Sequence, residues 1–305
     1  MQKQIRGNTV TNKKDSPLRF MTQIALYGFD DCIKNRIRLD DNAHQILEAI
    51  ECLANNMQFQ DLSGETLYRA RVIDTKDIKR QNGFQINEDE KICTGFNEGQ
   101  SGRAPERIVK AGRINHEWES IWYLSNDIYT AMAEVRPGVR ESISLATYSV
   151  ADNSQIKILN FTNEEIKTKD GFDEKGTCLE KYDLNELYVG IQEILTLPAY
   201  NERTYYVSNI VIDILKKTGI SGVKYKSFYG PGDNIALWNI NDNLIKFCGS
   251  KVFLNYCSNN TFIEITNNQA VDYPKELYNQ MIMESSTTVQ ETQKMFKELI
   301  DKEKR

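Results

Sequence analysis

The stretch TLYRARVI (66–73) alternates as a half-buried strand does. Tyr68, Ala70 and Val72 fall on one face, and Leu67, Arg69, Arg71 and Ile73 on the other. Two arginines on one strand face are the first sign of a ligand site. Working outward, further strands read at IWYLS (121–125), ISLATYSV (143–150), IKILNF (156–161), GVKYKS (222–227) and IALWNI (235–240), with YGPGDN (229–234) as a turn. Helical spacing appears over 40–56, where Asp40 or Asp41 caps a stripe of Ile46, Leu47, Ile50, Leu53 and Ala54. A second helix spans 127–135, capped by Ser125 or Asn126 and stopped at Arg136-Pro137. Two more cover 183–197, ended by Pro198, and 205–218, closed by Gly219. This mixture predicts a single α+β domain with helical or flexible extensions.

Three segments follow from the pattern: a leader and helix over 1–60, the mixed domain over 61–265, and a polar helical tail over 266–305. A net charge of −5 argues against a general nucleic-acid binder. No window holds eighteen consecutive apolar residues, and the basic N-terminus lacks the apolar stretch of a signal peptide, so a cytoplasmic protein is expected. Six cysteines without a CxxC pair read as reduced thiols. Only His44 and His116 are available as imidazoles, which leaves little from which to build a metal site or a Ser-His-Asp triad. Gly95, Gly99 and Gly102, in an irregular stretch over 80–112, match neither a dinucleotide fingerprint nor a P-loop.

Arg69, Glu134 (in AEVRP, 133–137) and Ser227 (in VKYKS, 223–227) each stand where the apolar pattern favours a core residue. An arginine, an acid and a serine on element ends suit a site that grips an anionic ligand and faces a developing positive charge. The plainer alternatives are a helix-end carboxylate paired with Arg136 or Arg140, and a serine that only starts a turn.

LYRAR (67–71), AGRIN (111–115), WYLS (122–125), AEVRP and TGISGVKYKS (218–227), in this order, resemble the RES domain family over about 66–239. That family takes its name from an Arg, a Glu and a Ser, which fall here on Arg69, Glu134 and Ser227. The chain departs from the family pattern at HEWES (116–120) and at Val207, Ser208 and Asn209.

The resemblance implies a fold like that of ADP-ribosyltransferases, in toxins that cleave the nicotinamide–ribose bond of NAD+ by hydrolysis or phosphorolysis. NAD+ is then substrate, with no metal and no bound cofactor, and an Xre-like antitoxin is the expected protein partner, in a homo- or hetero-oligomer. Other members transfer ADP-ribose to a protein, and an inactive RES-like binding module is a further alternative. The implied catalytic residues are Glu134, Ser227 and Tyr123. Glu134 faces the ribose cation, Tyr123 stacks on nicotinamide or ribose, and Ser227 hydrogen-bonds the ribose or the amide. Arg69 and Arg113 bind the phosphates. Arg71 either joins them or is an ordinary strand arginine, and Asn115 fixes its loop or touches the ligand. Tyr205, Tyr206, Phe228 and Tyr229 read mostly as core, with one of them open to a place in the pocket wall.

Overall fold

The computed structural model describes residues 41–73, 95–171, 184–196, 202–257 and 260–265. The leader over 1–40, the tail from 266, Pro198 and the first part of the irregular stretch lie outside them. Among the described residues no helix is long and apolar enough to cross a membrane.

The chain begins with α1 (Asp41–Asn56), β1 (Phe59–Asp61) and β2 (Thr66–Ile73). It continues through α2 (Glu98–Ser101), β3 (Trp122–Ser125), α3 (Ile128–Glu134), β4 (Ser142–Val150) and β5 (Lys157–Asn160). Then come α4 (Leu184–Thr196), α5 (Glu202–Lys217), β6 (Gly222–Lys226), β7 (Asp233–Leu237), β8 (Ile245–Cys257) and β9 (Thr261–Ile265). The mixed α+β expectation holds. The nine strands form one sheet in the order β1-β5-β6-β7-β3-β2-β4-β8-β9. Only β5 and β6 run parallel, and α4 and α5 make the crossover that such a pair requires.

One face of the sheet carries the longer helices. Ile50 and Leu53 of α1, Leu187 and Ile191 of α4, and Val211 and Leu215 of α5 pack on Leu159, Val223, Tyr225 and Ala236 of the strands. The buried stripe of α1 is part of this core, and β1 is the sheet's first strand.

The other face closes on itself. Leu67, Trp122, Tyr148, Ile158, Leu237 and Ile245 share a core without a helix. β4 and β5 stand five places apart in the sheet, about 24 Å if it were flat. Yet Leu62 N donates to Ile156 O at 3.2 Å, and Gly64 N to Val150 O at 3.3 Å. The sheet therefore curls, and burial of both faces explains why its central strands are so apolar.

Candidate functional site

Glu134 is placed by the start of its own helix. Asp127, not Ser125 or Asn126, caps α3: its Oδ1 accepts from Thr130 N at 2.7 Å and from Thr130 Oγ1 at 2.8 Å. The two expected caps are occupied by β7. Ser125 Oγ donates to Asp233 O at 2.9 Å, and Asn126 Oδ1 accepts from Asp233 N at 2.8 Å. Thr130 Oγ1 also accepts from Gly232 N at 2.8 Å, which docks the Gly-Pro-Gly turn (230–232) on α3. A Cβ on Gly230 would lie 2.7 Å from Thr130 Cα, and one on Gly232 would collide with Asp127 Cβ. Only glycine lets the turn approach this closely.

This docking brings the end of β6 and the start of β7 beside the last residue of α3. Ser227 Oγ donates to Glu134 Oε1 at 2.6 Å, and Asn234 Nδ2 donates to the same oxygen at 2.5 Å. Ser227 Oγ in turn accepts from Tyr229 N and Gly230 N, each at 3.0 Å. A hydroxyl has one proton and two lone pairs, and all three are engaged. Ser227 thus holds the carboxylate and the turn.

A cleft of about 420 Å³ opens beside Glu134. It lies where β2 and β3 part: these strands pair at Tyr68↔Ser125, and residues 68–70 and 123–125 form its walls. Arg69, Lys110, Arg113 and Arg136 border it against the one carboxylate of Glu134. Tyrosines 123, 205, 225 and 229 supply aromatic surface. The cleft is cationic and aromatic, with a single anionic point.

The arginines are already engaged. Arg69 Nη1 donates to Ser101 O at 2.7 Å and to Gly102 O at 2.6 Å, and Arg71 Nη2 donates to Gly102 O at 2.8 Å. Burial first, and Arg71 beside it second, pull Arg69 down to about 10, which leaves it a cation at neutral pH. Arg71 is lowered chiefly by burial and lies away from the cleft wall. Arg113 Nη1 donates to Leu195 O at 2.7 Å and Thr196 O at 3.1 Å, so it caps the C-terminus of α4 as well as bordering the cleft.

Tyr123 turns its half-buried ring to the cleft and its hydroxyl to the AGRIN loop. The hydroxyl donates to Asn115 Oδ1 at 2.8 Å and accepts from Ile114 N at 3.2 Å. Burial, then Tyr225, push its pKa up. Asn115, 2% exposed, donates to Lys110 O and His116 O, which fixes the loop, and it also lines the cleft. Asn209 Nδ2 ties the same loop to α5 through Gly112 O at 3.1 Å. His116 is on the surface, its Nε2 at 3.0 Å from the Asp213 carboxylate.

Tyr205 and Tyr229 wall the cleft, and Phe228, just before the turn, is 52% exposed and not core. The side chain of Tyr206 is outside the described residues. Lys110, Arg136, Tyr225 and Asn234 border the cleft without having been assigned to the site from the sequence. Asn234 reads as the end of the YGPGDN turn, but it belongs to β7 and is 7% exposed.

The chain belongs to the RES domain family, whose model matches residues 91–246. Glu134, Ser227, Tyr123, Arg113, Asn115 and Asn234 lie inside that span; Arg69 and Arg71 precede it. No curated protein matches the chain in sequence. A chain of the crystal structure of the M. tuberculosis MbcT-MbcA toxin-antitoxin complex aligns at 13% identity and a TM-score of 0.38, covering 76% of this chain and 97% of that one.

Proposed function

We propose that this protein cleaves the nicotinamide–ribose bond of NAD+, as a glycohydrolase or phosphorylase, and acts as a cytoplasmic toxin restrained by an Xre-like antitoxin. The observation that carries the reading is one carboxylate, held by two donors on one oxygen, in a cleft otherwise bordered by four cations and several tyrosines. In NAD+ the nicotinamide nitrogen is already cationic. When the C1′–N bond breaks, its electron pair returns to that nitrogen, so the leaving group takes no proton. The charge to be stabilised is on the ribose, and Glu134 supplies the opposite charge there. Arg69, Arg113, Lys110 and Arg136 supply the counter-charge for the diphosphate. Water or phosphate then adds to C1′; water gives up its proton to solvent.

The test follows nicotinamide release from NAD+ by mass spectrometry, with and without phosphate. Glu134→Gln is expected to lower release by about 10²–10⁴-fold with the fold intact. Near-normal turnover in that variant would remove Glu134 from the reaction.

A second reading, transfer of ADP-ribose to a protein, draws on Phe228. An apolar side chain 52% exposed beside cleft-lining Tyr229 suits contact with a protein acceptor. Labelled NAD+ in a lysate separates the two, because only transfer leaves label on a protein band.

A further inference from the structure

We infer that Asn234 is the positioning residue that decides which oxygen of Glu134 works. The two donors on Glu134, Ser227 Oγ and Asn234 Nδ2, both fall on Oε1. Among the described residues no hydrogen bond to Oε2 is formed, so Oε2 is the oxygen left to face a ligand. The two donors differ in kind. The Ser227 hydroxyl is fixed by Tyr229 N and Gly230 N and can rotate only by giving those bonds up. The Asn234 amide comes from a central strand: Asn234 pairs in register with Ser125 on β3 and with Tyr225 on β6. It is 7% exposed and borders the cleft. Its position is therefore set by the sheet, whereas Ser227 and Glu134 sit on a turn and a helix end. Asn234 is the fixed point against which the carboxylate is aimed.

The donor, not the shape, carries this role. Asp has the shape of Asn but replaces the N–H with a charged oxygen facing Oε1, where like charges repel. A donor role orders activity as Asn above Ala above Asp; a packing role orders it as Asn equal to Asp, both above Ala. The reaction followed is the one proposed above, so a second readout is independent of it: the place of the Glu134 carboxylate in crystal structures of Asn234→Ala and Asn234→Asp without ligand.

We expect Asn234→Ala to lower kcat about 10–100-fold with KM within about threefold, in line with loss of alignment of a reacting group. We expect Asn234→Asp to fall below it, with the carboxylate turned away from Ser227 in the Asp variant. A carboxylate that stays in place in both variants overturns the inference, whatever the turnover. A carboxylate that moves in a protein whose wild type releases no nicotinamide upholds the positioning and removes the NAD+ reading instead. Should Asn234→Asp fail to fold, the same carboxylate comparison and the kcat–KM split in Asn234→Ala decide the matter.

Discussion

Ser227 and Glu134, 93 positions apart in the chain, meet at 2.6 Å, with the serine hydroxyl as donor and the carboxylate as acceptor. The same hydroxyl accepts the amides that open the glycine turn, so one side chain ties β6, the turn and α3 together. Ser227→Ala removes a bond to a charged group, worth about 1.5–3 kcal/mol, and leaves two amides without their acceptor. The expected result is lower stability together with lower turnover. For a domain of this size about 2 kcal/mol corresponds to a fall in Tm of roughly 4–8 °C. A Tm equal to wild type, measured by calorimetry, would show that solvent replaces these bonds at no cost.

The glycine turn makes a separate prediction. Gly232 has no room for a Cβ: Asp127 Cβ and Asn126 Oδ1 already occupy that space. Gly232→Ala must push the turn off α3, at about 1–3 kcal/mol for overpacking, and weaken the Thr130 Oγ1–Gly232 N bond. Turnover should fall although residue 232 does not border the cleft. Wild-type kinetics in a folded Gly232→Ala protein would show that Glu134 keeps its aim without the docked turn.

What the sequence made legible follows from how local each signal is. TLYRARVI reads as a strand because period-two alternation needs no partner, and it is a strand from Thr66 to Ile73. The α1 stripe reads for the same reason at a period of 3.6. β8 did not read: Gly249 sits at φ +128, and a register shift opposite Thr147/Tyr148 breaks the alternation half-way along. In the site, Glu134 and Ser227 were legible as polar residues at element ends, but Asn234 was not. Its partner lies 100 positions away, and only the sheet brings the two together. The carbonyls that hold Arg69 and Arg71 come from a segment with no periodic signal. The two arginines therefore looked freer than they are.

Arg69 and Arg71 can be separated by kinetics. Both donate to Gly102 O, but only Arg69 borders the cleft. Arg71 Nε is buried without a partner, so the residue carries a desolvation cost against a single bond. Arg71→Met should leave stability within about 1 kcal/mol and KM for NAD+ unchanged, because Arg69 still holds Gly102 O. Arg69→Met should raise KM, through loss of a cation that a diphosphate needs. Equal rises in KM for the two variants would place Arg71 on the ligand as well.

Alkaline pH tests the buried tyrosines. Burial pushes Tyr123 and Tyr225 up, and Tyr148 and Tyr188 up to about 12. In the unfolded chain these groups ionise near 10. Raised folded values mean that the stability they contribute is fully present below pH 10. It is lost as pH rises toward the folded values, because the unfolded state releases protons that the folded state keeps. The loss is up to about 1.4 kcal/mol per pH unit for each tyrosine still protonated in the fold. Tyr123→Phe should therefore do two things. At pH 8 it costs about 1–3 kcal/mol, since Asn115 Oδ1 loses its donor. Between pH 10 and 12 its stability should fall less steeply than that of the wild type, because one group no longer contributes to the slope. Urea midpoints across pH 8–11.5 measure both, and parallel curves would mean that Tyr123 ionises as readily in the fold as in the open chain.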